Sequence, residues 1–202
     1  MSKEIEIEYK NLLTNNEFEL LKNRFTISQE DFISQENHYF DTLTFSLKAH
    51  QSALRIRKKQ DKYILTLKQP LKQGLLETHQ SITKEQAAFL LNGGSLQQID
   101  GEIQDALIHM GIDPAAIKYL GCLKTDRAEV KDGENLLVLD HSFYLNHEDY
   151  ELEYEVKEPI QGKQRFLEIL KQNDIPIRPT KNKILRFFQT KLEMRERPFS
   201  DG

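Results

Sequence analysis

Glu4-Ile5-Glu6-Ile7-Glu8-Tyr9-Lys10 alternates charged and apolar residues without a break. At a period of two, Ile5, Ile7 and Tyr9 fall on one face of a β-strand, and Glu4, Glu6, Glu8 and Lys10 on the other. The pattern returns in Tyr150-Glu151-Leu152-Glu153-Tyr154-Glu155-Val156, where three glutamates share a face. Strands with acidic faces therefore lie near both ends of the chain. Between them, Leu54-Arg55-Ile56-Arg57 places two guanidinium groups on one face, and Tyr63-Ile64-Leu65-Thr66-Leu67-Lys68 follows after the turn Gln60-Asp61-Lys62. From Leu54 to Lys72 seven basic residues stand against one acid, a balance of +6. From Glu148 to Glu158 six acids stand against one base, a balance of -5.

Weaker strand patterns cover 38–42, 75–82, 119–131 and 135–140, the last two joined across Asp132-Gly133, a hairpin signal. The count is about eight antiparallel strands. Thr14-Asn15-Asn16-Glu17 and Thr83-Lys84-Glu85-Gln86 are capping boxes ahead of apolar residues at helical spacing. Further helices are predicted over 102–110, 114–119, 163–173 and 181 to about 194. No repeat or Pro/Ser-rich linker interrupts the chain, so 1–202 reads as one domain, α+β and mainly antiparallel β.

The charged fraction of 30% and the lack of any apolar run near ~18 residues predict a protein that does not enter a membrane. Met1-Ser2-Lys3-Glu4 leads into charge rather than an apolar signal segment, so the expected location is cytoplasmic. A net charge of -4 argues against a nucleic-acid partner. Cys122 is alone, which excludes an internal disulfide framework and a multi-cysteine zinc site; it reads as a buried, inert thiol. The six histidines show no H-E-x-x-H or H-x-H spacing and read as surface or structural. Glycine-rich phosphate loops and a G-x-S-x-G elbow are missing too.

Alternation ordinarily marks a sheet with one solvated face. A solvated face mixes signs, however, whereas glutamates two apart, only ~7 Å from one another, line up here on two strands opposite a line of arginines. A barrel with charged faces inward and apolar faces under helices accounts for both. Stacked carboxylates then suit a hard cation such as Mg²⁺ or Mn²⁺, and inward Arg and Lys suit phosphate oxygens. A metal and a polyanion bound together neutralise both walls. Without them the glutamates repel, so neutralising Glu6 or Glu153 is expected to leave the metal-free fold unharmed or more stable.

Glu6-Ile7-Glu8-Tyr9-Lys10 resembles the E-x-E-x-K signature that opens the CYTH superfamily, also called triphosphate tunnel metalloenzymes. An ordered series supports the likeness: Tyr39-Phe40-Asp41-Thr42, Leu54-Arg55-Ile56-Arg57, Leu65-Thr66-Leu67-Lys68, Glu77, Arg127, Leu139-Asp140, Glu151-Leu152-Glu153 and Asn182-Lys183-Ile184-Leu185-Arg186. The chain is most similar to the small bacterial, Firmicute-type branch. The resemblance implies a closed eight-stranded barrel, the triphosphate tunnel, with helices packed outside. It implies metal ligation by Glu6, Glu8, Glu151, Glu153 and Glu155, with Asp140 and Glu77 holding metal or orienting cations. Triphosphate binding falls by the same likeness to Lys10, Arg55, Arg57, Lys68, Arg127 and Lys183, with Arg186 in support. Glu6, Glu8, Lys10 and Arg57 become the candidate catalytic set. Lys124 lies three residues from Arg127 and needs a bulge to face inward with it. Lys58, Lys59, Lys62 and Lys72 read as exterior or turn charges.

The expected chemistry is phosphoryl transfer to water. Because tryptophan is absent and no aromatic cluster flanks the basic hairpin, inorganic triphosphate is the expected substrate. Class IV adenylate cyclase and thiamine triphosphatase are the alternatives within the family, and a non-catalytic polyphosphate or nucleotide sensor the alternative outside enzymes. The chain is expected as a monomer or homodimer.

Overall fold

The computed structural model describes residues 2–178 and 180–196, the last five by their backbone alone. In chain order it contains β1 (Ser2–Glu6), β2 (Glu8–Leu13), α1 (Asn15–Arg24), β3 (Ile33–Thr42), α2 (Ser46–Ala49), β4 (Ala53–Lys59), β5 (Lys62–Pro70) and β6 (Leu75–Ile82). There follow α3 (Lys84–Leu91), α4 (Glu102–His109), β7 (Ile117–Asp132), β8 (Asn135–Tyr144), β9 (His147–Glu155), α5 (Pro159–Gln172) and α6 (Lys183–Glu196). No helix among the described residues is long and apolar enough to cross a membrane.

The strands form one nine-stranded antiparallel sheet in the order β1-β6-β5-β4-β3-β7-β8-β9-β2. Its two edge strands are consecutive in the chain, separated only by Ile7, whose carbonyl accepts a 2.8 Å hydrogen bond from Val156 N–H. Glu6 leaves Leu75 of β6 and, two residues on, Glu8 pairs with Glu155 of β9. The sheet thus curls until its ends meet at Ile7. The sequence count of eight becomes nine because the first strand changes partner at this seam. The β4–β5, β7–β8 and β8–β9 hairpins close through two-residue loops, and both loop residues of the last, Leu145 and Asn146, take the positive φ that such a turn needs.

Apolar faces point outward, as the alternation requires. On one side Leu54, Ile56, Leu65 and Leu67 of β4 and β5 pack under Leu90 of α3 and Ile103 and Leu107 of α4. On the other, Leu137, Leu139, Leu152 and Tyr154 of β8 and β9 pack under Phe18 and Leu21 of α1 and Phe166 and Ile169 of α5. Each fully buried leucine or isoleucine contributes roughly 2 kcal/mol. A third cluster joins Tyr39, Leu123 and Tyr144 to Phe187 and Phe188 of α6, which seats that helix on the barrel. Gly121, at φ 155°, is needed there, since a Cβ would lie 2.4 Å from Phe187 Cζ.

Both capping boxes are present, at Thr14/Glu17 and Thr83/Gln86. The helix expected over 114–119 is a single 3₁₀ turn, Pro114–Ala116, because from Ile117 the backbone pairs with Thr42 of β3. α5 starts at Pro159 rather than 163, with proline in its first turn. The short α2 went unforeseen; the buried Asp41 carboxylate organises it by accepting from Leu47 and Lys48 N–H at 2.8 and 3.1 Å.

Candidate active site

The inward faces enclose a cavity of about 750 Å³ lined by every strand of the ring. Glu4, Glu6, Glu8 and Lys10 keep one parity through the seam and all reach it, while Ile5 on the opposite face is exposed. Arg55, Arg57 and Lys68 enter from β4 and β5, Glu77 from β6, and Arg127 and Asp140 from β7 and β8. Glu153 and Glu155 enter from β9, and Lys183 from the first turn of α6.

Two wall segments differ in how their charges are met. Lys183 Nζ lies 2.5 Å from Glu153, 2.8 Å from Asp140 and 3.2 Å from Glu151. Arg127 grips Asp140 through two 2.7 Å hydrogen bonds and reaches Glu153 at 2.5 Å. Burial opposes ionisation of Glu153, yet Lys183, Arg127 and Lys10 outweigh it and hold its carboxyl well below the usual range. Burial likewise opposes the charge on Lys10, but Glu153, Glu8 and Glu151 raise it to about 12. Lys68 bridges Glu6, at 2.7 Å, and Glu77. Burial and a hydrogen bond shared with Glu77 push Glu6 upward, while Glu77, buried but bonded to Glu6 and facing Lys68 and Arg55, falls to about 2.

The remaining charges lack such partners. Arg57 donates Nε–H only to Asn37 Oδ1, at 3.0 Å, and among the described contacts neither it nor Arg55 meets a carboxylate within 4.0 Å. Burial, with Arg55 and Arg127 beside it, pushes Arg57 down to about 9, the mark of a cation in need of an anion. Arg55 Nε is buried without a hydrogen-bond partner. Opposite in sign, Glu155 is pushed up to about 7 chiefly by burial, which Arg127, 4.0 Å away, opposes and Glu6, Glu153 and Glu8 reinforce.

Twelve of the fourteen residues singled out in the sequence therefore line one cavity. Glu151 and Arg186 do not: Glu151 is fully buried behind the wall, where Arg186 reaches it at 2.5 Å and Asp149 at 2.9 Å. Asp140 is paired with Arg127 and Lys183, and Glu77 with Lys68. Lys124 points outward and is 54% exposed, and β7 carries its bulge at Leu120, opposite Tyr39 and Phe40, too far along to turn it in. Lys58 pairs with Glu36, and Lys59, Lys62 and Lys72 stay off the cavity. Three readings change. Glu153 is one of the carboxylates that neutralise the buried Lys10, Arg127 and Lys183, so removing its charge is expected to cost stability rather than relieve repulsion. Cys122 is half-buried on the outer face rather than fully buried. Tyr39, Phe40 and Phe188 also line the cavity, giving it aromatic surface the sequence did not reveal. Asn37 and Gln35 were missed because β3 starts at Ile33; the inward spacing Gln35-x-Asn37-x-Tyr39 carried the signal. His79, read as structural, joins Glu4 at 3.0 Å and Glu77 at 3.5 Å on the cavity wall.

Comparison with known proteins places this arrangement. The CYTH domain family model matches residues 4–188. The Bacillus subtilis protein named "Putative triphosphatase YjbK" is 49% identical over 191 residues, 95% of this chain and 98% of that one. A crystal structure from Bacillus halodurans, described as a "putative adenylate cyclase", is 45% identical with a TM-score of 0.88, covering 93% of this chain and 100% of its own. HpAC1 from Hippeastrum, described as a "putative adenylyl cyclase" revealing a dominant triphosphatase activity, is 26% identical with a TM-score of 0.77, covering 92% and 96%.

Proposed function

The chain belongs to the CYTH domain family, and from that premise we propose that its tunnel binds a triphosphate and hydrolyses the terminal phosphoanhydride, with inorganic triphosphate as the preferred substrate. One observation carries the reading: among the described residues no carboxylate lies within 4.0 Å of Arg55 or Arg57, two inward guanidinium groups in the same cavity as the strained Glu6 and Glu155. Anion and cation together would relieve both.

The donor set fits a hard divalent cation, because Glu6, Glu8, Glu153 and Glu155 offer only carboxylate oxygens and two of them resist ionisation when alone. Those four would hold Mg²⁺ or Mn²⁺, which supplies Lewis-acid charge to phosphate oxygens when bound. The chain's own groups do the rest. Arg55 and Arg57 take the substrate's oxygens, Asn37 fixing the plane of the second guanidinium. Lys10, Lys68, Arg127 and Lys183 sit on carboxylates and supply positive charge held in place, without reorganisation, for the charge that develops on the transferring group. Water attacks the terminal phosphorus in line, the bridging P–O bond breaks, and orthophosphate and diphosphate result.

Phosphate release from tripolyphosphate, ATP and thiamine triphosphate, each with Mg²⁺ or Mn²⁺, tests the proposal. Tripolyphosphate is expected to turn over fastest; pyrophosphate with cyclic AMP from ATP would make the chain a cyclase, and tight binding without product a sensor. The aromatic surface of Tyr39, Phe40 and Phe188 favours a second reading, in which an organic triphosphate is also accepted.

A further inference from the structure

On the outer surface of the barrel, away from the tunnel, Glu36 and His38 project from β3 and Cys122 from β7. His38 and Cys122 are direct cross-strand partners, and Glu36 lies two residues along the same face. One ligand atom from each lies within 4.8 Å of the other two. We propose that these three side chains form a second cation site, selective for a borderline-soft divalent ion of the Zn²⁺ class and chemically distinct from the carboxylate row of the tunnel.

The donor set decides the class of ion. An imidazole nitrogen, a thiolate and one carboxylate oxygen suit Zn²⁺ or Co²⁺ and are poor ligands for Mg²⁺. Three protein ligands leave the fourth tetrahedral position to water, and Glu36, whose side chain is 42% exposed, gives access from solvent. In a tetrahedral zinc site the donor atoms stand about 3.5 Å apart, a spacing that His38 Nε2 and Glu36 Oε2, at 3.3 Å, already have.

The existing hydrogen bonds already aim His38 at Glu36 on one side and at Tyr119 on the other. His38 Nδ1 is 3.3 Å from Tyr119 Oη and Nε2 is 3.3 Å from Glu36 Oε2, while Lys58 reaches the other Glu36 oxygen at 3.5 Å. Burial lowers the imidazole pKa and keeps it neutral, so it has one N–H for two neighbours. On Nε2 that proton goes to Glu36 Oε2 while Tyr119 Oη–H donates to Nδ1; an ion that takes Nε2 moves the proton to Nδ1, which then donates to Tyr119 Oη. Tyr119 then orients the ring from behind, the usual arrangement for a histidine ligand. Burial and Glu36 raise the Cys122 thiol to about 11, so ion binding must expel its proton to solvent. Affinity is therefore expected to rise about tenfold per pH unit through neutrality.

Titrating the metal-free full chain with Co²⁺ tests the site, because a thiolate-to-cobalt charge-transfer band in the near ultraviolet reports Cys122 alone. One equivalent is expected to develop the band, excess Zn²⁺ to abolish it, and excess Mg²⁺ to leave it. Cys122→Ser should remove it, and His38→Ala should weaken Co²⁺ binding at least ~10-fold, with native circular dichroism in both. Glu8→Gln, which alters the tunnel, should leave the band unchanged, so failure here is separable from failure of the proposed hydrolysis. A missing band in the wild-type chain overturns the site. So does a band of undiminished affinity in His38→Ala, which would reveal a thiol binding cobalt by itself; should that variant unfold, His38→Gln and Glu36→Gln provide the same comparison.

Discussion

Glu155 carries the strain of the metal-free tunnel, and replacing it by glutamine measures that strain. Burial and the neighbouring Glu6, Glu153 and Glu8 raise its pKa from 4.5 to about 7 against a single guanidinium 4.0 Å away. At ~1.4 kcal/mol per pH unit this amounts to about 3 kcal/mol. The side chain is 31% exposed, so solvent screening reduces the usable part to about 1–2 kcal/mol. The folded pKa lies above the unfolded one, so the native state holds the proton more tightly. Its contribution is full below pH ~4.5 and is lost as pH rises through about 7. Glu155→Gln removes the ionisation. The metal-free variant should be more stable than wild type by about 1–2 kcal/mol at pH 8, and by no more than a few tenths at pH 5. Urea unfolding in the presence of a chelator at both pH values reads this directly. A loss of stability at pH 8, or an equal gain at both pH values, would refute the reasoning, because neither follows from a carboxylate that resists ionisation.

Glu153→Gln should behave oppositely to Glu155→Gln: stripping the carboxylate from Lys183, Arg127 and Lys10 should cost about 3 kcal/mol in urea unfolding, and more so at neutral than at acid pH. On the basic wall, Arg57→Ala and Lys68→Ala should raise KM for tripolyphosphate at least ~10-fold while Lys59→Ala, off the cavity, changes it less than ~2-fold; equal effects would show that the hairpin is read with the wrong face inward. Glu8→Gln should lower kcat by ~10² or more with its fold intact by circular dichroism, and near-wild-type turnover would remove it from the metal set.

The same two glutamates show where the sequence stops being informative. Period-two alternation in β1, β2 and β9 was enough to place Glu153 and Glu155 on one inward face, since backbone pleat alone decides it. Their opposite electrostatic fates depend on Lys183, which is 30 residues away on a helix that reaches the barrel through Phe187 and Phe188, and on Arg127, fixed by Asp140 on the neighbouring strand. No local pattern announces such an arrival. Glu151 makes the point from the other side: it shares the parity of Glu153, yet Arg186, one turn along the helix from Lys183, takes it out of the cavity wall. Strand register was legible because every residue obeys it, and the seam at Ile7 was not, because a single residue's change of partner leaves the alternation untouched. What separates a carboxylate free to meet a cation from one already committed is thus the seating of α6 on the end of the barrel. The ionisation of the row is therefore tied to that seating: if α6 withdrew, Glu153, Glu151 and Asp140 would lose Lys183 together, and the carboxylate-rich wall would lengthen from the strained end at Glu155 towards the one that is now neutralised.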